Sequence, residues 1–260
     1  MEADASIFFS ISDIILYMNE RYRIKGDLHT HTIASQHAYS TIGELVDQSR
    51  KLGMDFIAIT DHGPEMLDGA IRHHFLCMSG LPETADGIRL YKGAEVNIKS
   101  FSGRLDLDET VLKRLDFIIA SYHVEAIDPG TEDENTEGWL NAIRNKYVDC
   151  LGHAGNPVYP FAHEPVVKAL RDYCKILEIN ANSPVVRKGS RENCIDLIKL
   201  CMKYDVPVIA TSDAHHKWNL CNVQASLDML EELGFPPERI LNTSKEAIEE
   251  YITHRKGEKS

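Results

Sequence analysis

The sequence lacks the features that would place the protein in a membrane or outside the cell. Its six cysteines are scattered without a CxxC pair, which in a chain of 260 residues favours reduced thiols in a cytoplasmic protein. The apolar run from Ser6 to Met18 is interrupted by Asp13 and is too short to cross a bilayer. No cationic region precedes this run and no small-residue cleavage site follows it. We therefore expect no membrane partner, and we interpret residues 1–23 as a helical N-terminal extension.

Positive charge is also scarce. The chain carries 40 acidic against 28 basic residues, a formal net charge of −12. Such a surface repels polyanions, and the sequence shows only small basic clusters such as Arg187-Lys188 with Arg191. We therefore expect no stable nucleic-acid partner and favour a small anionic substrate held by metal ions. The sequence leaves both a monomer and a homo-oligomer open.

The motifs of several enzyme classes are missing as well. The sequence contains no HExxH zinc-protease motif, no Walker A loop, no GxGxxG and no GxSxG. These absences exclude the chemistries that depend on those motifs. Amide or lactone hydrolysis by a barrel metalloenzyme is not excluded by them.

What the chain does contain is a repeated unit of an apolar strand-like run, a polar motif and a helical pattern. The runs lie at 24–28, 55–60, 88–96, 115–120, 148–152, 176–179 and 206–210. The helix candidates lie around 42–53, 71–79, 132–146, 164–174, 190–204 and 222–233, and residues 99–108 have the pattern of a hairpin. This alternation indicates a parallel sheet with right-handed crossovers.

The polar motifs decide between two parallel architectures. An open doubly wound sheet places its site at one switch point and uses two or three strand ends. Here polar motifs follow all seven strands, and only a closed barrel brings seven strand ends to one mouth. We therefore predict a seven-stranded (βα) TIM-like barrel with its site at the C-terminal ends of the strands.

Histidine and carboxylate side chains concentrate at these strand ends. His29 and His31 are two residues apart on an extended segment, so their rings point to the same side. A single strand histidine is usually a hydrogen-bonded core residue, but scattered core histidines have no reason to share one end of a sheet. The candidate metal ligands are His29, His31, His37, His62, Glu95, His123, His153, Asp213 and His215. Imidazole and carboxylate suit zinc, and they also suit manganese or iron.

The number of candidate ligands exceeds what one or two ions need. Nine ligands divide into about three divalent ions if one carboxylate bridges two of them. A two-metal site with two further histidines in an outer layer is the alternative.

The motifs that carry these residues resemble those of the PHP (polymerase and histidinol phosphatase) superfamily. The resembling segments are Asp27–Thr32, Ala34–Ser40, Ile59–Pro64 and Ser212–His215. Four more segments resemble the YcdX-type phosphatase branch, namely Gly155–Pro157, Arg187–Ser190, Glu192–Cys194 and Phe235–Asn242. The resemblance runs from about Gly26 to Leu241. It implies a single PHP-type domain over residues 24–255, folded as a distorted seven-stranded (βα) barrel with a trinuclear, usually zinc, site.

The resemblance also implies how the ligands are shared. His29, His31, Glu95 and Asp213 would hold the first ion, and Glu95 would bridge to a second ion bound by His123 and His153. His37, His62 and His215 would hold the third. Two departures from the branch, Ala154 in place of a proline and Val124 after His123, bear on substrate fit rather than on the ligands.

Three divalent ions in one pocket favour hydrolysis of a phosphate ester by a metal-activated hydroxide. We predict a phosphatase acting on a small phosphorylated metabolite, with Glu95, Asp213 and His215 as catalytic residues. A phosphodiesterase or 3′–5′ exonuclease, or a non-catalytic metal-binding module, is the alternative function. Substrate contacts are predicted, on weaker grounds, for Arg72, His74, Asn156, Arg187 and Lys188. Asp27 and Asp61 are expected to accept N–H groups from ligand imidazoles.

Overall fold

Parallel strands form the centre of the molecule. The computed structural model describes residues 22–259, so the helix predicted in the N-terminal extension lies almost entirely outside the described residues. The strands are β1 (Gly26–Asp27), β2 (Phe56–Ile59), β3 (Thr84–Ala85), β4 (Ile88–Asn97), β5 (Phe117–Ser121), β6 (Cys150–Leu151), β7 (Ile176–Asn180) and β8 (Val208–Thr211). Each of the seven predicted strand-like runs contains one strand, and only the short β3 was not predicted.

The order of the strands is that of a barrel. Neighbours pair in parallel in the order β1-β2-β4-β5-β6-β7-β8, and β3 adds an antiparallel edge to β4. A parallel bridge between Thr30 and Ala214 links the first strand region to the last. The Asn242 side chain completes this seam, because its amide donates to the carbonyls of Gly26 and Ala210 while its oxygen accepts the Ala210 N–H. The predicted seven-stranded barrel is confirmed. Its closure is distorted, because the Asn242 side chain bridges the first and last strands.

Helices fill the crossovers and surround the strands. They are α1 (Ile42–Lys51), α2 (Arg72–Cys77), α3 (Glu109–Leu112), α4 (Glu132–Arg144), α5 (His163–Asp172), α6 (Ser183–Val186), α7 (Ser190–Tyr204), α8 (Gln224–Glu232) and α9 (Lys245–Lys259). Capping boxes at Thr41 and Thr131 fix where α1 and α4 begin, because each threonine accepts the N–H of a glutamate three residues later. All six predicted helices are present. None of the helices in the described part of the chain combines the length and apolar character needed to span a bilayer.

The apolar core has two parts. One lies between the strands and the surrounding helices, and the other fills the barrel interior, where it includes Leu28, Phe56, Phe117 and Ile119. Ile248 and Ile252 of α9 belong to the interior cluster, so this helix closes the N-terminal end of the barrel. The sequence did not predict α9.

The predicted hairpin is also present. Ile98 and Leu105 form an antiparallel bridge, and the Lys99 N–H donates to the Arg104 carbonyl across the turn. Gly103 occupies the left-handed region at φ 76°, as a tight turn requires. The hairpin lies beside the mouth of the barrel, because the Asp106 carboxylate that ends it accepts hydrogen bonds from Asn97 at the end of β4.

Candidate metal centre

The structure brings the nine candidate ligands together at the mouth of the barrel. The carboxyl ends of parallel strands meet on one side of a sheet, so residues that follow each strand converge. Seven of the nine are at most one-tenth exposed, while His37 and His215 lie nearer to solvent. Two of the nine, His153 at φ 31° and Asp213 at φ 53°, adopt the left-handed backbone conformation. That conformation is costly for residues other than glycine and is concentrated at functional sites.

Two carboxylates define the first group of ligand atoms. His31 Nε2 lies 3.1 Å from Asp213 Oδ1 and 3.7 Å from Glu95 Oε2. His29 Nε2 lies 3.2 Å from Glu95 Oε2 and 3.6 Å from Asp213 Oδ1. These four side chains surround one point with two imidazole nitrogens and two carboxylate oxygens.

The second oxygen of Glu95 faces a different pair of histidines. Glu95 Oε1 lies 2.8 Å from His153 Nε2 and 3.4 Å from His123 Nε2, and the two nitrogens are 3.2 Å apart. Glu95 therefore presents one oxygen to each of two groups of histidines, which is the geometry of a bridging carboxylate.

The third group lies at the rim. His37 Nε2 and His215 Nε2 are 2.8 Å apart. The His62 ring lies 5.0 Å from that of His37, but His62 Nδ1 is 2.7 Å from Glu95 Oε2. Ligand atoms also lie within 4.8 Å of one another in the sets His31–His62–His215 and His62–Glu95–His123. His62 thus lies within reach of all three groups.

Hydrogen bonds on the outer side of the rings fix which nitrogen faces inward. His29, His123 and His215 each place Nδ1 against an acceptor oxygen, namely Glu178 Oε1 at 2.5 Å, Asn97 Oδ1 at 2.7 Å and the Asp213 carbonyl at 2.9 Å. His37 Nδ1 lies 2.6 Å from Asp68 Oδ2 in the same way. A proton on Nδ1 leaves a lone pair on the inward Nε2, which is the arrangement of metal-binding histidines.

Several inward atoms are arranged as a cation would require. The inward nitrogens of His37 and His215 face each other, and their outer nitrogens face acceptor oxygens that favour a proton on Nδ1. His29 Nε2 and His62 Nδ1 lie 3.2 and 2.7 Å from the buried Glu95 Oε2, yet none of these three atoms makes a hydrogen bond with a described residue. Buried polar atoms are almost always satisfied, and a cation between these atoms would satisfy all three. The donor set therefore fits divalent metal ions.

The electrostatics of the group favour the ligand forms of the carboxylates and of two histidines, His31 and His153. Burial alone would raise the pKa values of Glu95 and Asp213, but neighbouring histidines, with His29 the strongest, hold both well below their usual range. Burial lowers the pKa of His153 to about 4 and, together with His62 and His215, holds that of His31 well below its usual range. Ionised carboxylates and neutral imidazoles are the forms that bind metal ions. His29 differs, because burial lowers its pKa but the carboxylates of Glu178, Glu95 and Asp213 outweigh burial and raise it well above its usual range. A metal ion bound at Nε2 would take the place of that proton.

Glu178 is a functional residue that sequence reasoning missed. Its carboxylate is buried in the middle of β7, where Oε1 accepts from His29 Nδ1 and from the Thr211 hydroxyl, both at 2.5 Å. Oε2 accepts the backbone N–H of His153 at 2.5 Å. One side chain thus connects three strands that carry ligands. The available signal was an acidic residue inside an otherwise apolar strand.

The two aspartates predicted to orient ligand imidazoles act differently. Asp27 accepts the Ser212 hydroxyl at 2.5 Å and backbone N–H groups of His29 and Ser212, so the prediction was wrong for this residue. Asp61 accepts two hydrogen bonds from Thr32, and the imidazole it contacts is that of His74 at 3.1 Å rather than that of a ligand. Both carboxylates thus hold the backbone beside the ligands, in the short polar segments that follow strands β1, β2 and β8.

The predicted substrate-contact residues separate into two sets. Arg187 reaches the site, because its guanidinium lies 3.8 Å from Asp213 Oδ2 and its side chain is mostly buried. His74 is one hydrogen bond away, through Asp61. Arg72 instead pairs with Asp108 at the surface, and Asn156 accepts the Val158 N–H within its own turn. Lys188 is exposed and has no ion pair with any described residue.

Comparisons with known proteins place this arrangement in a family. A family model described as PHP domain matches residues 27–182, more than half of the chain. The chain belongs to the PHP family. The predicted resemblance is confirmed, and the match covers the strand ends that carry His29 through His153.

Relatives of this PHP protein are named as phosphatases. A protein of Acetivibrio thermocellus called "Probable phosphatase" is 43% identical over 230 residues, which cover 88% of this chain and 95% of the relative. A protein of Caldicellulosiruptor bescii with the same name is 42% identical over 226 residues, covering 87% of this chain and 94% of the relative. The prediction that the chain is a phosphatase-type hydrolase is confirmed by these relatives.

Solved structures show the same fold at low sequence identity. Histidinol phosphate phosphatase from Lactococcus lactis, complexed with zinc, L-histidinol and phosphate, aligns with a TM-score of 0.57 and 17% identity over 81% of this chain and 94% of its own. A chain of an archaeal ribonuclease P complex with mature tRNA aligns with a TM-score of 0.56 and 17% identity, covering 86% of this chain and 90% of its own. At these identities the similarity establishes the barrel and no more.

Proposed function

We propose that this PHP protein is a phosphomonoesterase that hydrolyses a small phosphorylated metabolite at a site for three divalent ions. The observation that carries the proposal is the convergence of inward-facing imidazole nitrogens on the two oxygens of Glu95, with the outer nitrogens held by acceptors. A phosphate ester is the substrate class that such a density of cations suits, because its charge is spread over several oxygens.

The ligands divide among the ions as the family resemblance implies. His29, His31, Glu95 and Asp213 would hold the first ion. Glu95, His123 and His153 would hold the second, and His37, His62 and His215 the third. Zinc is the metal we expect first, with manganese or iron as alternatives. Bound there, the ions would neutralise phosphoryl oxygens and supply a nucleophile by lowering the pKa of water.

The chain's own residues bind and orient the substrate. Arg187 lies beside Asp213 at the edge of the site, where its guanidinium can donate to a phosphoryl oxygen. Glu95, Asp213 and His215 are the catalytic residues in this proposal, because each would hold an ion that binds the reacting phosphate. Burial lowers the pKa of His215, so this imidazole is neutral near pH 7 and its inward Nε2 is free to bind the third ion.

Other functions have less support. An exonuclease, or a phosphodiesterase acting on nucleic acid, must hold a polyanion, which a net charge of −12 opposes. A non-catalytic metal module has no need of a mostly buried arginine beside the ligands. The cysteine pattern supports a cytoplasmic location. The proposal names no nucleic-acid or membrane partner, and it holds equally for a monomer and for a homo-oligomer.

The test combines metal analysis with hydrolysis of p-nitrophenyl phosphate by the purified protein. We expect about three equivalents of metal and a loss of at least ~100-fold in kcat/KM for Asp213→Asn and His29→Ala. His254→Ala is the matched control, because this histidine lies exposed on α9 and pairs with Glu258. Wild-type activity in both site variants, with their folding confirmed by circular dichroism, would refute the proposal. Degradation of single-stranded DNA would favour the exonuclease instead.

A further inference from the structure

The exposed apolar side chains of this protein are concentrated on one face. Among the described residues, nine of the ten large hydrophobic side chains that are exposed lie in the segments that follow the strands at the barrel mouth. These nine form the apolar rim, consisting of Ile33, Tyr39, Leu67, Ile71, Val124, Val158, Val185, Val186 and Trp218. The tenth, Tyr173, follows α5 and precedes β7 at the opposite end. Single exposed hydrophobic residues are ordinary, but a ring of them around one opening is not.

The apolar rim adjoins the candidate metal centre. The Tyr39 N–H donates to the carbonyl of His215 at 2.7 Å. Val124 follows His123, Val185 and Val186 precede Arg187, and Trp218 is three residues beyond His215. Leu67, at 94% exposure the most exposed of the set, precedes Asp68, which contacts His37. Exposed apolar side chains therefore lie next to the candidate ligands on several sides of the mouth.

Charged side chains on the same segments are mostly neutralised by one another. Arg72 pairs with Asp108, Lys99 with Glu65, and Lys217 with Glu44. The exposed groups that follow β5 include acidic ones, such as Glu125 and Asp128. Lys188 on these segments has no ion pair with any described residue, but it adjoins Arg187 and so lies on the side of the phosphoryl group. The paired and acidic groups elsewhere disfavour a second phosphate or carboxylate on the substrate, since like charges repel.

From this arrangement we propose that the substrate is a phosphomonoester whose leaving group is uncharged and apolar, and that Tyr39 and Trp218 contact that group. The inference rests on the proposed phosphatase function and gives its substrate class. The metal centre and Arg187 bind the phosphoryl end. The apolar rim removes the rest of the molecule from water, which adds binding in proportion to the apolar area buried.

A series of n-alkyl phosphates from ethyl to hexyl tests the proposal on the metal-loaded enzyme. The leaving alkoxide has nearly the same basicity throughout, so a trend in kcat/KM reports contact with the chain and not chemistry. We expect kcat/KM to rise by about threefold per methylene while the chain lies on the rim, close to the transfer value of a buried CH₂.

Variants locate the contact. Tyr39→Ala and Trp218→Ala should each flatten the dependence on chain length, whereas Tyr173→Ala, an equally drastic truncation at the other end, should leave it unchanged. If the enzyme hydrolysed p-nitrophenyl phosphate but kcat/KM did not rise along the alkyl series, the inference would be overturned and the proposed phosphatase function would stand. If it hydrolysed no phosphate ester, both the inference and the proposed function would be refuted. Sedimentation could instead show a concentration-dependent oligomer that Trp218→Ala dissociates while this variant keeps the dependence on chain length. The apolar rim would then be an interface between copies of the chain, and the inference would be overturned.

Discussion

Replacing Glu178 with glutamine tests whether the buried carboxylate of β7 organises the metal centre. Three donors converge on it, namely His29 Nδ1, the Thr211 hydroxyl and the His153 backbone N–H, each at 2.5 Å. A glutamine side chain has one oxygen and one NH₂ group. If the oxygen faces His29, the NH₂ group faces the His153 N–H, and two donors oppose each other.

The magnitude follows from these contacts. Loss of a charged outer partner of a metal-binding histidine typically lowers metal affinity by about 10–100-fold, or ~1.4–2.8 kcal/mol. The opposed donors leave one buried N–H unsatisfied, which costs about 1–3 kcal/mol of folding stability. We therefore expect Glu178→Gln to fold, to unfold at a lower temperature, and to bind Zn²⁺ at least tenfold more weakly than the wild type.

Competition with a chromophoric chelator measures the affinity, and thermal unfolding with and without Zn²⁺ measures the stability. Asp116→Asn is the matched control, because this buried carboxylate also accepts a backbone N–H but lies at the start of β5, away from the ligands. The control should lose stability and keep its metal affinity. If Glu178→Gln bound Zn²⁺ within twofold of the wild type, the carboxylate would have no organising role.

Two further substitutions probe the rim and the base of the barrel. Asp68→Asn removes the charge behind His37, the most exposed ligand at 38%, so after dialysis the variant should retain about one equivalent of metal less than the wild type, as measured by mass spectrometry. Glu65→Gln on the same loop should retain the wild-type content. Burial, reinforced by Arg255, lowers the pKa of Lys175 to about 7. The unfolded chain therefore binds more protons than the folded one between about pH 7 and pH 10. The free-energy cost of burying Lys175 is complete below this range, and it decreases as the pH rises through the range. Lys175→Met removes this titration, and at both pH values it also loses the hydrogen bonds from Nζ to the Asn145 and Val148 carbonyls. In urea unfolding its stability relative to the wild type should therefore be about 1–3 kcal/mol more favourable at pH 7 than at pH 9. An equal difference at both pH values would contradict the assigned shift.

The convergence of the candidate ligands was predictable from the sequence, because the geometry of parallel strands determines where their ends lie. Once strand-like runs were followed by polar motifs, their carboxyl ends had to share one side of the sheet. His29 and His31 had to point the same way, because side chains alternate along an extended segment. Pairings among ligands such as His62 with Glu95 were not predictable in this way, because they depend on loop paths.

Residues that act from the interior were harder to predict. Glu178 sits at an apolar position of a short strand, and its partners are 149 and 33 residues away in the chain. Helix α9 was missed because its buried face mixes Ile248 and Ile252 with the charged Arg255 and Lys259. Asp149 pairs with both of those charges, at 3.2 and 2.6 Å, and so offsets part of the cost of burying them. A pattern of hydrophobic spacing cannot reveal an ion pair made across the fold.

The N-terminal end of the barrel is closed, and this determines from which side a substrate can reach the ligands. Below the ligands the interior is filled by apolar side chains such as Leu28, Ile119 and Ile209, and α9 adds Ile248 and Ile252 beneath them. This packing leaves no route to Glu95 through the barrel, so a substrate must approach from the mouth. In the proposed function the metal ions would recognise only a phosphoryl group, which all phosphate esters share. Discrimination between esters must therefore come from the segments that follow the strands, where the exposed apolar side chains lie.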